Sequence, residues 1–146
     1  MASKSKTIKN ALITLLKGLQ LNGEAAFVAV KGHPRGSFDG FPQVRVLPGD
    51  QTTEKGAYGQ NDRTVSLTAR VHIPYTDDGS EFDYMYELTD LILDALDTED
   101  YSGSFNSDNG TYVLNTQRGD WFDEDTPTGP VLTCEVSVDV SYSKDD

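Results

Sequence analysis

Apolar residues recur along this chain with two different spacings, one typical of helices and one typical of strands. Near the N-terminus they lie three or four residues apart, which predicts a helix capped by Ser5 or Thr7 and ending at about Gln20. The apolar face of this helix consists of Ile8, Leu12, Leu15, Leu16 and Leu19. A second helical spacing begins after "TDDGS", where Asp78 or Ser80 can serve as the cap. Its apolar face consists of Tyr84, Met85, Leu88, Leu91, Ile92, Ala95 and Leu96.

Strict alternation of apolar and polar residues predicts two long strands, at residues 64–75 and 132–142. Shorter apolar runs predict strands at "AFVAVKG", "QVRVL" and "TYVLNTQ", whereas "TEDYSGSFNSDNG" and "RGDWFDEDTPTGP" are predicted to be connections. The predicted order is therefore α-β-β-β-α-β-β in a single domain of residues 1–146. Alternation gives each strand one covered face, so we expect an α+β fold: a mostly antiparallel sheet with two helices packed on one face.

The first nineteen residues are basic and then apolar, which superficially suggests a targeting segment. Their apolar positions follow a helical spacing, however, and no small-residue cleavage site follows them, so we do not expect a signal peptide. No apolar run approaches the ~18 residues of a membrane span. The single cysteine, Cys134, excludes an internal disulfide and suits a reducing compartment.

Charge is distributed very unevenly along the chain, whose net charge is −12. Residues 1–76 contain ten Lys/Arg and five Asp/Glu, whereas residues 77–146 contain two Lys/Arg and nineteen Asp/Glu. A simple nucleic-acid-binding protein would carry a net basic surface with interleaved aromatic residues, so that class is disfavoured. The remaining alternatives are a solvated acidic protein and a molecule with two oppositely charged ends.

The second predicted helix carries five carboxylates in one row, which we call the acidic stripe: Asp83, Glu87, Asp90, Asp94 and Asp97. Like charges four residues apart destabilise a helix by a few tenths of a kcal/mol per pair. The row extends over about 21 Å of helix, too far to converge on one cation, so we predict no metal site. Lys6, Lys9 and Lys17 form a basic face on the first helix. Both sets could simply be solvated, or they could dock copies head to tail.

Sequence motifs for catalysis are absent: there is no G-x-S-x-G, phosphate-binding loop, dinucleotide fingerprint or H-E-x-x-H. His33 and His72 are isolated, with His72 expected on the wet face of its strand, and Cys134 is expected in the core. We predict no catalytic residue and no cofactor. The alternative from another class is a small acidic ligand-binding domain or enzyme, which would have a pocket around Trp121, Tyr112 and His72.

The chain resembles the tail terminator (tail completion) proteins of long-tailed bacteriophages, the lambda-type family. The likeness lies in "IKNALITLLKGL", in "FPQVRVLPGD", in "SLTARVHIPYTDDGSEFDYMYELTDLILDAL" and in "VLTCEVSVDVSYS". The resemblance implies a small α+β fold and a non-enzymatic structural virion protein. It also implies a hexameric ring at the tail–neck junction, assembled in the host cytoplasm.

The same resemblance implies partners. They are further copies of the chain, the tail tube protein and the head–neck connector, with no membrane; DNA would pass through without specific binding. The loop from Gly49 to Asp62 would reach a neighbouring ring or tube protein, through Asp50, Glu54, Lys55 and Tyr58. Lys6, Lys9 and Lys17 would meet an adjacent subunit, and the acidic stripe would face a neighbour or the lumen. Another neck, connector or tail component is the alternative within the same class.

Overall fold

The computed structural model describes residues 4–33, 40–55, 61–75, 78–102, 111–127 and 129–143. It contains two helices, α1 (Lys4–Lys17) and α2 (Ser80–Ser102). The strands are β1 (Gln20–Leu21), β2 (Glu24–Ala25), β3 (Ala29–Lys31), β4 (Gln43–Lys55), β5 (Asn61–Pro74), β6 (Thr111–Thr126) and β7 (Gly129–Ser143).

Five of the strands form one sheet in the order β3-β4-β5-β7-β6. The pair β3–β4 is parallel and the other three pairs are antiparallel, with Val71 of β5 opposite both Val44 of β4 and Cys134 of β7. The predicted α+β class, the element order and the mostly antiparallel sheet are confirmed. The two-residue strands β1 and β2 form a separate small ribbon that the sequence pattern did not indicate.

The core lies between the two helices and one face of this sheet. Alternate residues of β5 and β7 point into it, as their sequence alternation predicts: Val65, Leu67, Ala69, Val71 and Ile73 from β5, and Leu132, Cys134, Val136, Val138 and Val140 from β7. Ile8, Leu12 and Leu16 of α1 cover these residues, together with Met85 and Leu88 of α2. All five of these helical side chains are at most 1% exposed, so the helices are held mainly by apolar burial.

The two helices lie over different parts of the sheet. Helix α1 contacts β3, and its Lys6 and Lys9 lie near Val65 and Leu67 of β5. Helix α2 contacts β5, β7 and β6. Because neighbouring strands are about 4.8 Å apart, the β3 and β6 edges are separated by about 19 Å. Helix α1 therefore lies towards one edge of the sheet and helix α2 towards the other.

The start of α2 combines a cap with a glycine turn. The Ser80 N–H donates to Asp78 Oδ1 at 3.0 Å, which satisfies one of the otherwise unpaired donors of the first turn. Gly79 has φ of +77°, a left-handed conformation that favours glycine. The predicted cap at Asp78 is confirmed.

Two predicted connections are wrong in part of their described residues. Helix α2 continues to Ser102, through part of "TEDYSGSFNSDNG", and β6 continues to Thr126, through most of "RGDWFDEDTPTGP". The long partner β7 pairs with β6 as far as Thr126 opposite Gly129, and a register shift between Arg118 and Trp121 accommodates the residues that resemble a turn. Long-range pairing has here overridden local composition.

The predicted loop from Gly49 to Asp62 is also wrong in its described part. Asp50, Glu54 and Lys55 belong to β4, which pairs with β5 as far as Lys55 opposite Asn61. A register shift between Pro48 and Gln51 lets the strand continue past the proline. Tyr58 lies outside the described residues.

Part of the second face of the sheet is a buried polar row, although a wet face was predicted. Gln43, His72 and Thr133 occupy neighbouring positions on β4, β5 and β7, and each side chain is at most 1% exposed. His72 Nδ1 lies 2.9 Å from the Thr133 hydroxyl. The expectation that His72 faces solvent is therefore wrong: alternation assigned its face of the sheet correctly but not its burial.

Candidate functional site

The acidic stripe of α2 is an exposed surface. Its five side chains, those of Asp83, Glu87, Asp90, Asp94 and Asp97, all lie on the solvent side of the helix. The structure brings a cation that the local sequence lacks, because Arg118 of β6 forms an ion pair with Asp90. The stripe is therefore partly neutralised at its centre.

The basic face of α1 is less exposed than predicted. Lys6 and Lys17 are exposed, but Lys9 is half-buried and extends beside Gly32, just after β3. A Cβ atom added to Gly32 would lie 3.5 Å from Lys9 Nζ. Lys17 lies in the last turn of α1, where a positive charge interacts favourably with the helix dipole.

Opposite charges thus lie on the two helices of one layer, basic on α1 and acidic on α2. The basic face belongs to the helix near β3, and the acidic stripe belongs to the helix near β6. This placement has the polarity that head-to-tail contacts between copies require.

An aromatic patch borders the acidic stripe, and sequence reasoning missed it. The patch comprises Phe82 and Tyr86 of α2 and Trp121 of β6. The ring of Trp121 is stacked on Phe82 with centroids 6.1 Å apart and is tilted against Tyr86 at 4.9 Å. Phe82 is 44% exposed and Tyr86 is 50% exposed. The sequence signal that could have indicated the patch is the i, i+4 spacing of Phe82 and Tyr86. Both residues lie beside the apolar face of α2 rather than within it.

Arg118 connects this patch to the acidic stripe. Its guanidinium carbon lies 5.0 Å from the Tyr86 ring centroid, its Nε donates to the Thr89 hydroxyl at 2.9 Å, and its terminal nitrogen donates to Asp90. Thr89 in turn donates to the Met85 carbonyl at 2.8 Å. One side chain therefore fixes the edge strand β6 against α2 and holds the Tyr86 ring beside the carboxylates.

Two of the residues expected to mark an enzyme, Trp121 and His72, lie on opposite faces of the sheet. Trp121 is opposite Cys134 on the helical face of the sheet, whereas His72 is opposite Thr133 on the other face. The side chain of Tyr112 is outside the described set. Burial raises the pKa of the Cys134 thiol to about 11, so this cysteine is a poor nucleophile near neutral pH. Within the described ranges, no group of three His, Cys, Asp or Glu side chains could hold a metal ion.

A groove of about 500 Å³ lies between the β1–β2 ribbon and the beginning of α2. Glu24, Asp83, Tyr84 and Glu87 line it, so one end of the acidic stripe forms part of its wall. Tyr84 was expected on the apolar face of α2, but it is 37% exposed and lies at this groove, whereas Glu81 is only 4% exposed.

None of the helices among the described residues is both long and apolar enough to span a membrane.

The side chains of the predicted docking residues Asp50, Glu54, Lys55 and Tyr58 lie outside the described set. Asp50, Glu54 and Lys55 lie along the second half of β4, beyond its register shift. Their proposed contact with a neighbouring protein stays a prediction. The surface that the structure does assemble is the acidic stripe together with the aromatic patch.

Comparisons with known proteins identify a shared fold. No protein-family model matches the chain, and no curated protein matches it. A solved structure described as "Virion of native gene transfer agent (GTA) particle" contains a chain with a TM-score of 0.54 and 12% sequence identity. The alignment covers 92% of this chain and 93% of that chain. This protein therefore shares its overall fold, over nearly its full length, with a chain of the gene transfer agent virion.

Proposed function

We propose that this chain is a structural virion protein, a tail terminator that forms a ring at the end of the tail tube and joins it to the head–neck connector. One observation carries the proposal: charges of opposite sign lie on the two helices of one layer, basic on α1 and acidic on α2. Contacts between unlike surfaces repeat from copy to copy and close into a ring when the rotation allows. The shared fold with a chain of a gene transfer agent virion supports the structural class.

The proposed roles follow from this placement. The basic face of one copy, Lys6, Lys9 and Lys17, meets the acidic stripe of the next copy, and six copies complete the ring. Carboxylates of the stripe that remain exposed repel phosphate groups, so that DNA passes without sticking. The tail tube protein and the connector are the proposed partners above and below the ring. Another neck or connector protein would use the same contacts in a ring of a different copy number.

The first test is light scattering of the purified protein at low and high salt. We expect a multimer near six copies that dissociates as salt rises, because screening weakens contacts between exposed charges. Reversing two carboxylates, Glu87→Lys with Asp97→Lys, should weaken association about tenfold, at about 0.5–1 kcal/mol for each exposed pair. Glu87 and Asp97 test the contact between copies more cleanly than Asp90 does, because reversal of Asp90 would also break its ion pair with Arg118.

The matched control is a charge swap. Adding Lys6→Glu and Lys17→Glu to the reversed protein restores opposite charges at the contact and should restore the multimer. Electron microscopy of the multimer then counts the copies in the ring. Association that is unaffected by salt, by the reversal and by the swap would contradict docking through these charges.

A further inference from the structure

The aromatic patch requires its own explanation, since charge docking does not use it. Exposed side chains of Phe82 and Tyr86 lie together on the outer flank of α2, with Trp121 half-buried beneath them. Scattered apolar residues on a surface are ordinary, whereas a contiguous aromatic cluster is typical of a contact surface. Aromatic residues are also enriched at the centres of protein interfaces.

The position of the patch indicates the direction from which a partner approaches. Strand β6 forms one edge of the sheet, and Phe82 and Tyr86 lie on the side of α2 that faces Trp121 of this edge strand. Arg118 and the carboxylate of Asp90 border the patch, and the rest of the acidic stripe runs beside it along α2. A partner that covers the patch would therefore meet an apolar centre with a mainly acidic rim.

The opposite end of the same chain has the complementary chemistry. Val28, at 63% exposure, is the most exposed of the large apolar side chains in the described segments, and it directly precedes β3. Lys31 ends β3 about 10 Å further along the strand, and the Lys9 ammonium lies beside the following Gly32. This end therefore presents an apolar residue with a basic rim. The match in charge and polarity points to a second copy of the chain as the occupant.

We propose that the aromatic patch of one copy receives the Val28 end of the next copy and forms the apolar centre of the contact, an inference that rests on the docking between copies proposed above. The acidic stripe of one copy, with Lys9 and Lys31 of the next, then forms the rim, which gives direction and salt dependence. The aromatic centre supplies the part of the affinity that salt does not screen, since apolar anchors at the middle of an interface are commonly strong contacts.

Chemical cross-linking tests this contact directly. Two single variants, Val28→Cys and Tyr86→Cys, are mixed and treated with a short bismaleimide, and the products are separated on a denaturing gel. We expect a cross-linked dimer that contains one of each variant. The native Cys134 is buried and its thiol has a raised pKa, so the wild-type chain should give no product. A chain carrying both substitutions should give a ladder that stops at the copy number of the ring.

Tyr84→Cys supplies the matched control. Tyr84 is an exposed aromatic residue on the same helix, but it lies at the groove on the opposite flank, away from Trp121. Paired with Val28→Cys, it should give no product above that of either variant alone. Equal products from Tyr84→Cys and Tyr86→Cys, or none from either, would overturn the proposed centre of the contact.

A second measurement separates this inference from the proposed function. Phe82→Ala should weaken association about tenfold at high and low salt alike, whereas Tyr84→Ala should leave it unchanged. If the Glu87→Lys and Asp97→Lys protein dissociates but Phe82→Ala does not, charge docking stands and the aromatic centre is wrong. A wild-type chain that stays monomeric at every concentration would overturn the inference, because no second copy then occupies the patch.

Discussion

Leu16→Ala should destabilise the protein by about 2–5 kcal/mol, a large part of the roughly 5–15 kcal/mol that stabilises a domain of this kind. Leu16 is fully buried in the core between α1 and the sheet. Alanine is the best helix former, so the loss arises from the removed apolar contacts and the cavity rather than from the helix backbone. Urea unfolding followed by circular dichroism measures the change.

The neighbouring substitution Lys17→Ala is the control for this prediction. Lys17 is exposed in the same turn of α1, and its replacement should cost no more than a few tenths of a kcal/mol from the lost dipole interaction. Equal effects of the two substitutions would contradict the packing of α1 on the sheet. A loss at Leu16 below about 1 kcal/mol would indicate that this face of α1 is not in the core.

Stability should fall by about 2 kcal/mol between pH 7 and pH 5 because of His72 alone. Burial lowers the pKa of His72 from 6.5 to about 3, with a further lowering by the positive charges of Arg45 and Arg70. Below pH 6.5 the unfolded chain therefore binds a proton that the folded protein excludes. The stabilisation is complete above pH 6.5 and decreases as the pH falls towards 3.

His72→Gln isolates this contribution. A glutamine side chain is neutral at every pH and can still form a hydrogen bond with the Thr133 hydroxyl, which lies 2.9 Å from His72 Nδ1. Unfolding free energies of the two proteins, measured in urea at pH 5, 6, 7 and 8, should converge as the pH falls. The difference between the two unfolding free energies excludes the contributions of the carboxylates and of His33, because both proteins contain these groups. Parallel curves would mean that His72 titrates normally and is not excluded from solvent.

Local periodicity accounts for what the sequence predicted well. Strands β5 and β7 and the apolar faces of the helices repeat over enough residues for one covered face to be recognised. The end of β6 was missed because Gly119, Asp120 and the acidic residues after Phe122 have the composition of a turn. Only the pairing with β7 identifies them as strand, and this pairing is not a property of the segment itself.

The aromatic part of the candidate site escaped prediction for a related reason. The acidic stripe follows from the spacing of carboxylates along one helix, so its exposure could be expected. The aromatic patch depends on Trp121, which reaches Phe82 and Tyr86 only after β6 has paired at the edge of the sheet. Arg118 and Asp90 are likewise 28 residues apart in the chain. Contacts between distant segments leave no periodic signal in a single sequence.

The position of β7 in the sheet has a consequence for how the chain folds. β7 is the last described element in chain order, yet it lies between β5 and β6 and contributes one residue in two to the core. Cys134 of β7 lies opposite Val71 of β5, which is 63 positions earlier in the sequence, and all of α2 lies between them in the chain. Strand pairing over such separations carries a large loop-closure cost, which places folding roughly in the millisecond-to-second range. Until β7 docks, β5 keeps an open apolar edge, so the interval before this final step is when the chain is most prone to aggregate.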